Sequence, residues 1–273
     1  MKSKTIGGGG FGKVKIFYSE KFQRMVIAKK VGDNFIKATT STKLRLTSLI
    51  NKYSKNENML KKESIVMLLM KVGKLDCCVE ILDFAPNPFR IIMEYCEGGD
   101  LRKILDNYDV PVKDKVEMIG QILDAIRRIH NFGIIHGDLK CQNIFLAKKY
   151  IPGKTRDIKI KIGDFGLSEV GGELVYGGTK GFAAPEAFET GGSFESDIYS
   201  IGKVMLEIMT GFPVEFIATI NNKNLSRIKN KLPKLLNITE FYDLVTPCLE
   251  ENPKNRPTAE ELLTLYATLV LLA

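Results

Sequence analysis

The sequence has 273 residues, a net charge of +8 and a pI near 9.1. Hydrophobic residues make up 44% and charged residues 26%, values of an ordinary globular domain that exclude disordered, collagen-like and coiled-coil chains. Five cysteines without zinc-type spacing predict a reducing, intracellular and mainly cytoplasmic location, with the nucleus as an alternative. The charge favours an anionic partner; we expect no membrane partner and disfavour a nucleic acid.

The first part of the chain has the composition of a sheet. It opens with "MKSKTIGGGG", which has no apolar signal region. Glycine turns then alternate with "KVKIFYSE" and "RMVIAKKV", which predict three strands between residues 4 and 31. Helical spacing follows from about residue 36 to 72, and "CCVEILDF" and "FRIIMEY" predict two more strands. Two glycines in "CEGGDL" indicate a hinge at about residues 94–99.

The rest of the chain has mainly helical spacing. The helix in "DKVEMIGQILDAIRRIHNFG" should be capped by Gly133. Further helices are predicted in "SDIYSIGKVMLEIMTG", "EFYDLVTPCLEE" and "TAEELLTLYATLVLL". The apolar part of the last is shorter than the roughly 20 residues that span a bilayer, so we expect a buried final helix. The order predicts an α+β protein, a sheet-rich lobe before a larger helical one.

The stretch "IGGGGFGKV" places Gly7, Gly9 and Gly12 in a G-x-G-x-x-G frame, followed by Val14. Glycines let a backbone approach a polyphosphate closely and offer it N–H groups. A dinucleotide-binding fingerprint would continue into a helix, whereas strand-like "KVKIFY" follows here. A plain glycine-rich hairpin is the alternative interpretation of this motif alone.

A cationic anchor for those phosphates is expected on the strand "VIAKKV". Side chains alternate between the faces of a strand, so only one of its two lysines can serve. If Ala28 lies under a base, Lys30 shares its face and is favoured; Lys29 stays open, because a hairpin one residue shorter would bring it in. Glu63 is the favoured carboxylate partner and Glu57 the second choice.

The stretch "IIHGDLKCQNIFL" concentrates groups for phosphoryl transfer. Asp138 could accept or orient the proton of an attacking hydroxyl, Lys140 could neutralise the transferred phosphoryl group, and Asn143 could hold a metal ion. Asp164 in "KIGDFGLSE" would be a second oxygen ligand. Few protein oxygens plus substrate phosphates are how Mg²⁺ is usually bound, so these residues indicate a Mg-nucleotide.

Taken together, these motifs resemble the eukaryotic-type protein kinase domain, of the serine/threonine type. The glycine-rich loop, strand lysine, H-x-D-L-K-x-x-N, D-F-G and "APE" (residues 184–186) occur in that family's order over nearly the whole chain. The resemblance implies one domain, 1–273, of bilobal fold. A five-stranded antiparallel sheet plus helix would occupy about 1–94, the hinge 94–99, and a mainly helical lobe about 100–273.

The resemblance also implies ATP and Mg²⁺ as cofactors and a protein substrate. It implies Asp138, Lys140, Lys30 and Glu63 as catalytic residues, and Asn143 and Asp164 as metal ligands. It implies that the nucleotide contacts are Ile6, Gly7, Gly8, Gly9, Gly10, Phe11, Gly12, Val14, Ala28, Lys30, the gatekeeper Met93, the hinge residues Glu94 and Cys96, and Phe145.

Other expectations from the resemblance concern the helical lobe. Asp197 would be its buried helix-anchoring aspartate, and Arg256 would pair with Glu186. Lys140, with Thr179 in "GGTKGFAAPE", resembles the arrangement of serine/threonine kinases rather than that of tyrosine kinases.

The sequence also departs from the family pattern. Gly137 stands where most relatives have an arginine that pairs with a phosphate on the activation loop, which predicts activity independent of that contact. Phe145 is larger than the usual aliphatic residue. Two basic insertions, 32–62 and 147–161, are expected to be surface loops, with docking of an acidic partner as a second interpretation.

Two other functions remain as alternatives. A pseudokinase or scaffold would fit Gly137 and Phe145, although Lys30, Asp138, Asn143 and Asp164 argue against it. A small-molecule phosphotransferase of the aminoglycoside or choline kinase type also carries H-G-D, but it generally lacks the later lysine, D-F-G and A-P-E.

Overall fold

The chain divides into two compact units. A computed structural model describes residues 4–9, 12–30, 59–85, 90–212, 214–220 and 238–272. One unit comprises Met1–Cys96 together with Asp164–Gly166, and the other comprises Glu97–Gly163 together with Leu167–Ala273. The boundary after Cys96 falls inside the range 94–99 that the glycines indicated as a hinge.

The first unit contains a five-stranded antiparallel sheet, as the sequence predicted. Its strands are β1 (Lys4–Gly9), β2 (Gly12–Ser19), β3 (Arg24–Lys30), β4 (Ile81–Ala85) and β5 (Arg90–Glu94), in the order β1-β2-β3-β5-β4. Their β-branched and aromatic residues favour the pleated conformation. Because β3 is the central strand, its backbone is hydrogen-bonded to β2 on one side and to β5 on the other.

Helix α1 (Met59–Val72) completes the first unit. Leu60, Val66 and Met70 are almost fully buried, and the helix is apolar on most of its circumference, as expected of a helix inside a core. Near its end Lys71 Nζ donates to the Ile81 carbonyl (2.7 Å), which joins the helix to β4. Residues 31–58, which contain Glu57 and most of the first insertion, lie outside the described residues.

The second unit is mainly helical. Its helices are α2 (Leu101–Asn107), α3 (Val112–Asn131), α4 (Glu186–Glu189), α5 (Phe194–Thr210), α6 (Val214–Ala218), α7 (Ile238–Val245) and α8 (Ala259–Leu272). Its strands are β6 (Gly99–Asp100), β7 (Ile134–Ile135), β8 (Ile144–Leu146), β9 (Ile160–Ile162) and β10 (Glu169–Val170), paired antiparallel as β6-β8-β9 and β10-β7.

Helices α3 and α5 form the centre of this unit. Gly133 (φ 80°) follows the end of α3 and Gly211 (φ 68°) follows the end of α5; both have the left-handed conformation that terminates helices. Apart from its two ends, α5 is buried along its length. The two glycines therefore fix the position and direction of the backbone where the following loops begin.

The final helix differs from the prediction of a buried helix. Leu262 is fully buried, but Val270 near the other end is 41% exposed. Tyr266 connects α8 to α3 through a hydrogen bond from its hydroxyl to the Val116 carbonyl (2.7 Å). One face of α8 therefore packs on the unit and the other is open. No helix within the described ranges combines the length and apolarity needed to cross a membrane.

Candidate active site

A buried lysine with two carboxylates lies in the first unit. Lys29 on β3 is 7% exposed, and its Nζ donates to Glu63 Oε1 on α1 (2.9 Å) and to Asp164 Oδ1 (2.7 Å). Asp164 has a left-handed backbone (φ 63°), uncommon for a residue with a side chain. The central strand, the core helix and a separate segment of chain thus meet at one ammonium group.

The electrostatics of these groups follow from burial and mutual attraction. Burial works against the charged ammonium, but Glu63 and Asp164 outweigh it and raise the pKa of Lys29. Burial raises the pKa of Glu63 to about 7, and Lys29 only partly opposes this. Removal of the lysine would leave two carboxylates close together with no cation between them, which is costly.

The structure corrects the choice between the two strand lysines: Lys29, not Lys30, pairs with Glu63. The preference for Lys30 depends on Ala28 facing the base of the nucleotide. Instead Ala28 is buried with Val26 and Ile92 in an apolar cluster on the opposite face of β3 from Lys29. Lys30 as the partner of Glu63 is therefore wrong, and Ala28 lies on the face of β3 opposite to the lysine that takes this place.

The glycine-rich motif lies on a β-hairpin. Gly7 pairs with Val14 and Gly9 with Gly12, while the register shift between Thr5 and Gly7 places Ile6 in a β-bulge. Gly8 lies between these paired glycines on β1. The strand continuing from Gly12 confirms that the motif does not open a helix. Gly10 and Phe11 lie outside the described residues.

The residues expected to contact the base occupy different secondary structures. Met93 is buried on β5 opposite Ile27. Glu94, the last residue of β5, accepts a hydrogen bond from the Glu80 N–H (2.7 Å), and Cys96 is buried two residues later. In the second unit Phe145 lies on β8, opposite Asp100 and Lys161, and is half-buried. Their contacts with a nucleotide stay a prediction.

The carboxylate of Asp138 is the centre of a hydrogen-bonded cluster in the second unit. It is 7% exposed. Its Oδ1 accepts from the Thr179 N–H (3.0 Å) and hydroxyl (2.6 Å), and its Oδ2 accepts from Lys140 Nζ (2.8 Å) and Asn143 Nδ2 (3.1 Å). Lys140 Nζ also donates to Thr179 Oγ1 (2.6 Å). The sequence motif predicted that Asp138, Lys140 and Asn143 lie in one site. It did not predict the direct hydrogen bonds from Thr179 to Asp138.

Asn143 is oriented by the same loop. Its Nδ2 also donates to the Asp138 carbonyl (2.8 Å). Both amide hydrogens are then used on Asp138, so the remaining polar atom, Oδ1, is the one that can bind a cation. An amide oxygen such as that of Asn143 is a hard donor of the kind that Mg²⁺ prefers, and so is the carboxylate of Asp164 in the first unit. Taken singly, each donor is of a type that suits the metal implied by the sequence.

The backbone of the Asp138 loop is held by Asp197 on α5, as expected. Its carboxylate accepts from the N–H groups of His136 (2.7 Å) and Gly137 (2.9 Å), and it contacts His130 Nε2 on α3 (2.9 Å). Burial works against its charge, but these partners lower the pKa of Asp197 below its usual value. His130 was not identified from the sequence, although a histidine in the last turn of a helix is a position where a cation is stabilised.

His136 orders the loop from within. The Asp138 N–H donates to its Nδ1 (3.2 Å), so the ring proton must be on Nε2, which lies 3.1 Å from the Gly163 carbonyl. The ring is fully buried. The histidine of the H-G-D motif is therefore a positioning residue for Asp138.

Gly137 has a left-handed backbone (φ 80°), and Val175 covers it. A Cβ at this position would lie 2.6 Å from Val175 Cγ1 and 3.2 Å from the Leu167 carbonyl oxygen. Val175 is 3% exposed and forms an isolated β-bridge with Gly192. The sequence had identified Gly137 but not Val175, whose only signal was an apolar residue in a glycine-rich segment.

The predicted pair of Arg256 and Glu186 is present. Arg256 Nη1 and Nη2 donate to the two carboxylate oxygens of Glu186 (2.5 and 3.1 Å), and Ser196 Oγ donates to one of them (2.7 Å). Burial opposes the charge of Glu186, yet these donors lower its pKa. The pair fixes α4, and with it the end of the segment that carries Thr179.

Comparisons with known proteins agree with these motifs. The chain is 29% identical over 96% of its length to hormonally up-regulated neu tumor-associated kinase of Mus musculus. It is 30% identical over 95% to serine/threonine-protein kinase Nek9 of Xenopus laevis, and 33% identical over 64% to a probable cell cycle serine/threonine-protein kinase, CDC5 homolog, of Encephalitozoon cuniculi. It spans only 35%, 26% and 38% of these proteins' lengths.

The match to a protein family covers almost the whole chain. Residues 1–266 match the family described as protein kinase domain. The motifs that carry the resemblance, from the glycine-rich hairpin to Arg256, lie inside this range. The chain belongs to the protein kinase domain family.

Proposed function

We propose that the protein is a serine/threonine protein kinase that transfers the γ-phosphoryl group of Mg-ATP to a hydroxyl of a protein substrate. The observation that carries this proposal is the Asp138 carboxylate, held by four donors from Lys140, Asn143 and Thr179. A base so oriented can accept a hydroxyl proton in a fixed direction. The serine/threonine names of the relatives support the type of hydroxyl.

Five side chains of the two clusters have a part in the proposed reaction. The substrate hydroxyl oxygen forms a bond to the γ-phosphorus, the bond between the γ-phosphorus and the β–γ bridging oxygen breaks so that ADP leaves, and the hydroxyl proton passes toward Asp138. Lys140 balances charge on the transferred group, and Lys29 holds the nucleotide phosphates. Asn143 and Asp164 would hold Mg²⁺, which neutralises phosphate charge when bound.

We also propose that activity does not require a phosphate on the segment 167–183. In most family members an arginine in place of Gly137 pairs with such a phosphate. Here Val175 is packed where that side chain would begin, and its β-bridge to Gly192 holds the segment. The segment has three residues with a hydroxyl group, Ser168, Tyr176 and Thr179. Ser168 is buried with its hydroxyl on the His136 carbonyl (2.9 Å), and Tyr176, at 65%, is the most exposed of the three.

A radiolabel transfer assay tests the activity. Wild type should label itself or a general protein substrate on serine or threonine, and Asp138→Asn should lose roughly 10²–10⁴-fold in rate, the usual contribution of a general base. Asp109→Asn is the matched control, because Asp109 is exposed between α2 and α3. Equal labelling by wild type and Asp138→Asn would overturn the proposal, and labelling of only a free amino alcohol or aminoglycoside would favour a small-molecule phosphotransferase.

The same assay after phosphatase treatment tests the role of phosphate. Dephosphorylated wild type and Tyr176→Phe should both keep their activity. If dephosphorylated protein is inactive and a phosphate on Ser168, Tyr176 or Thr179 restores it, the interpretation of Gly137 is wrong.

A further inference from the structure

Five exposed cations lie on one loop that the proposed reaction does not use. This basic loop, residues 147–159, connects β8 to β9. Its exposed cations are Lys148, Lys149, Lys154, Arg156 and Lys159, and its only acidic residue is Asp157. A lysine-rich loop is by itself often no more than a solvated surface. Two further observations distinguish this one.

The backbone of the basic loop is fixed by a buried carboxylate. Asp114 on α3 is fully buried and accepts from the Tyr150 hydroxyl (2.7 Å), the Gly153 N–H (2.8 Å) and the Thr155 hydroxyl (2.6 Å). Burial alone would raise the pKa of Asp114, but these donors lower it. The bonds lie on both sides of the loop's tip, so the tip is anchored to α3 at both ends.

A second anchor holds the end of the loop. The Gln121 amide donates to the Ile158 carbonyl (2.9 Å) and accepts from the Ile160 N–H (2.9 Å). The Tyr150 ring is 4% exposed and packs edge-to-face with Tyr108 at a centroid distance of 5.2 Å. The cations are therefore presented by an ordered backbone, and binding would not have to pay for ordering the loop.

The five cations have no acidic partner among the described residues. Some exposed lysines elsewhere in the described part of the chain are paired, as Lys21 is with Asp83 (2.6 Å), and others, such as Lys180 and Lys254, are not. No side chain of the described ranges forms a hydrogen bond or ion pair with any cation of the basic loop. The loop is therefore distinguished by carrying five such cations against a single carboxylate, that of Asp157.

The chemistry of the loop's tip indicates the kind of partner. Ile151 is 45% exposed beside Pro152, and Tyr108 is 38% exposed next to the loop. An aliphatic tip offers no platform for stacked bases. Four of the five cations are lysines, which pair with carboxylates and phosphates alike as point charges. The exposed aliphatic side chain beside them is what favours an acidic protein segment, whose apolar residues can pack on Ile151, over a nucleic acid.

We propose that the basic loop is a docking site for an acidic segment of a partner protein. Carboxylates of the segment pair with the loop's cations, and an apolar side chain packs on Ile151. The basic loop belongs to the second unit alone and contains none of the residues assigned to phosphoryl transfer. A failure of one proposal therefore leaves the other unaffected.

Fluorescence anisotropy of the full chain with a short labelled peptide tests this. The peptide carries glutamates around one leucine, and its control carries glutamines instead. At physiological salt the acidic peptide should bind, and Lys149→Glu/Lys154→Glu should weaken binding about tenfold through the loss of two ion pairs. Lys74→Glu/Lys254→Glu changes the net charge equally at exposed positions outside the loop and should leave affinity within about twofold.

Equal weakening by the two double variants would overturn the proposal, as would no binding of the acidic peptide. Tighter binding of single-stranded RNA or of phosphatidylserine vesicles, lost in Lys149→Glu/Lys154→Glu, would assign the loop to another partner and also overturn it. Thr155→Val removes one anchoring bond with no change of charge and should weaken binding about threefold. Unchanged affinity, with circular dichroism showing an intact fold in every variant, would refute the role of the ordered backbone.

Discussion

At the scale of single residues, the buried charge of Lys29 depends on two carboxylate partners. The lysine is almost completely buried and balances two carboxylates, Glu63 on α1 and Asp164. A buried charge that loses its partner costs several kcal/mol, whereas a paired one is tolerated. The lysine therefore holds Glu63 and Asp164 near each other, in addition to any contact it makes with a nucleotide.

Substitution of this lysine should separate its role from that of its neighbour. We expect Lys29→Met to lower kcat about 10²–10³-fold, the usual effect of removing one electrostatic donor from a phosphoryl-transfer site. Lys30→Met is the matched control and should stay within about threefold of wild type, because Lys29 occupies the position between the carboxylates. Steady-state kinetics with a protein substrate measures both. A larger loss in Lys30→Met than in Lys29→Met would contradict the assignment.

The choice between these lysines also shows the limit of the sequence. Alternation on a strand determines that Lys29 and Lys30 face opposite sides, but it does not determine which side holds Glu63. That depends on the register of β3 against its neighbours and on the packing of Ala28 with Val26 and Ile92. Glu63 itself could be predicted because it is a charged residue in an apolar helix.

The contact between Gly137 and Val175 makes a second residue-scale prediction. Gly137→Ala should lower the free energy of unfolding by about 2–3 kcal/mol, because the new Cβ meets Val175 and the backbone is left-handed. In the double variant with Val175→Ala the losses should be less than additive by about 1 kcal/mol. Urea denaturation of the four proteins measures this cycle. Strict additivity would mean that the two residues are not in contact in solution.

At the scale of elements, α5 is unusual for the charges that it buries. Asp197, Lys203 and Glu207 are each at most 2% exposed. Asp197 holds the Asp138 loop, and Glu207 pairs with Arg102 on α2 (2.8 Å). Lys203 donates to the carbonyls of Ile217 and Ile220, which caps the end of α6. The helix thus connects to its surroundings through buried polar bonds as well as packing.

Lys203 should make stability depend on pH. Burial lowers the pKa of Lys203 to about 8, below its value in an unfolded chain. Between these two values the unfolded state binds more protons than the folded state, so this group makes stability rise with pH. Below pH 8 both states are protonated, and its contribution is constant. From pH 8 to 10, wild type should gain on the order of 2 kcal/mol relative to Lys203→Met.

Urea denaturation of wild type and Lys203→Met at several pH values measures this difference. Lys254→Met is the control, because Lys254 is exposed, and its stability should follow that of wild type. A difference between wild type and Lys203→Met that stays constant from pH 7 to 10 would show that the ammonium is not destabilised by burial.

At the scale of the whole molecule, local sequence patterns predict the order of the main elements, whereas long-range contacts determine which side chains come together. The five strands of the first unit, the longer helices and the helix end at Gly133 follow from spacing and turn residues, whereas the short strands β6 to β10 of the second unit were not predicted. The ordered basic loop does not follow from such patterns, because Tyr150 and Asp114 are 36 residues apart and an acidic residue in a helix is unremarkable alone. The packing of Val175 against Gly137 could not be predicted either, because the two residues are far apart in the sequence.

A thermal shift with nucleotide tests the proposed function on the intact chain. At a Mg-ADP concentration about 100 times its Kd, the ligand should stabilise the protein by about 2.7 kcal/mol, which raises the Tm by about 5–10 °C. EDTA should reduce the shift if Asn143 and Asp164 hold the metal. Asp138→Asn should keep it, because that residue acts on the hydroxyl, while Lys29→Met should lose most of it. A full shift in wild type without any phosphoryl transfer would identify a pseudokinase, and the absence of any shift would refute nucleotide binding.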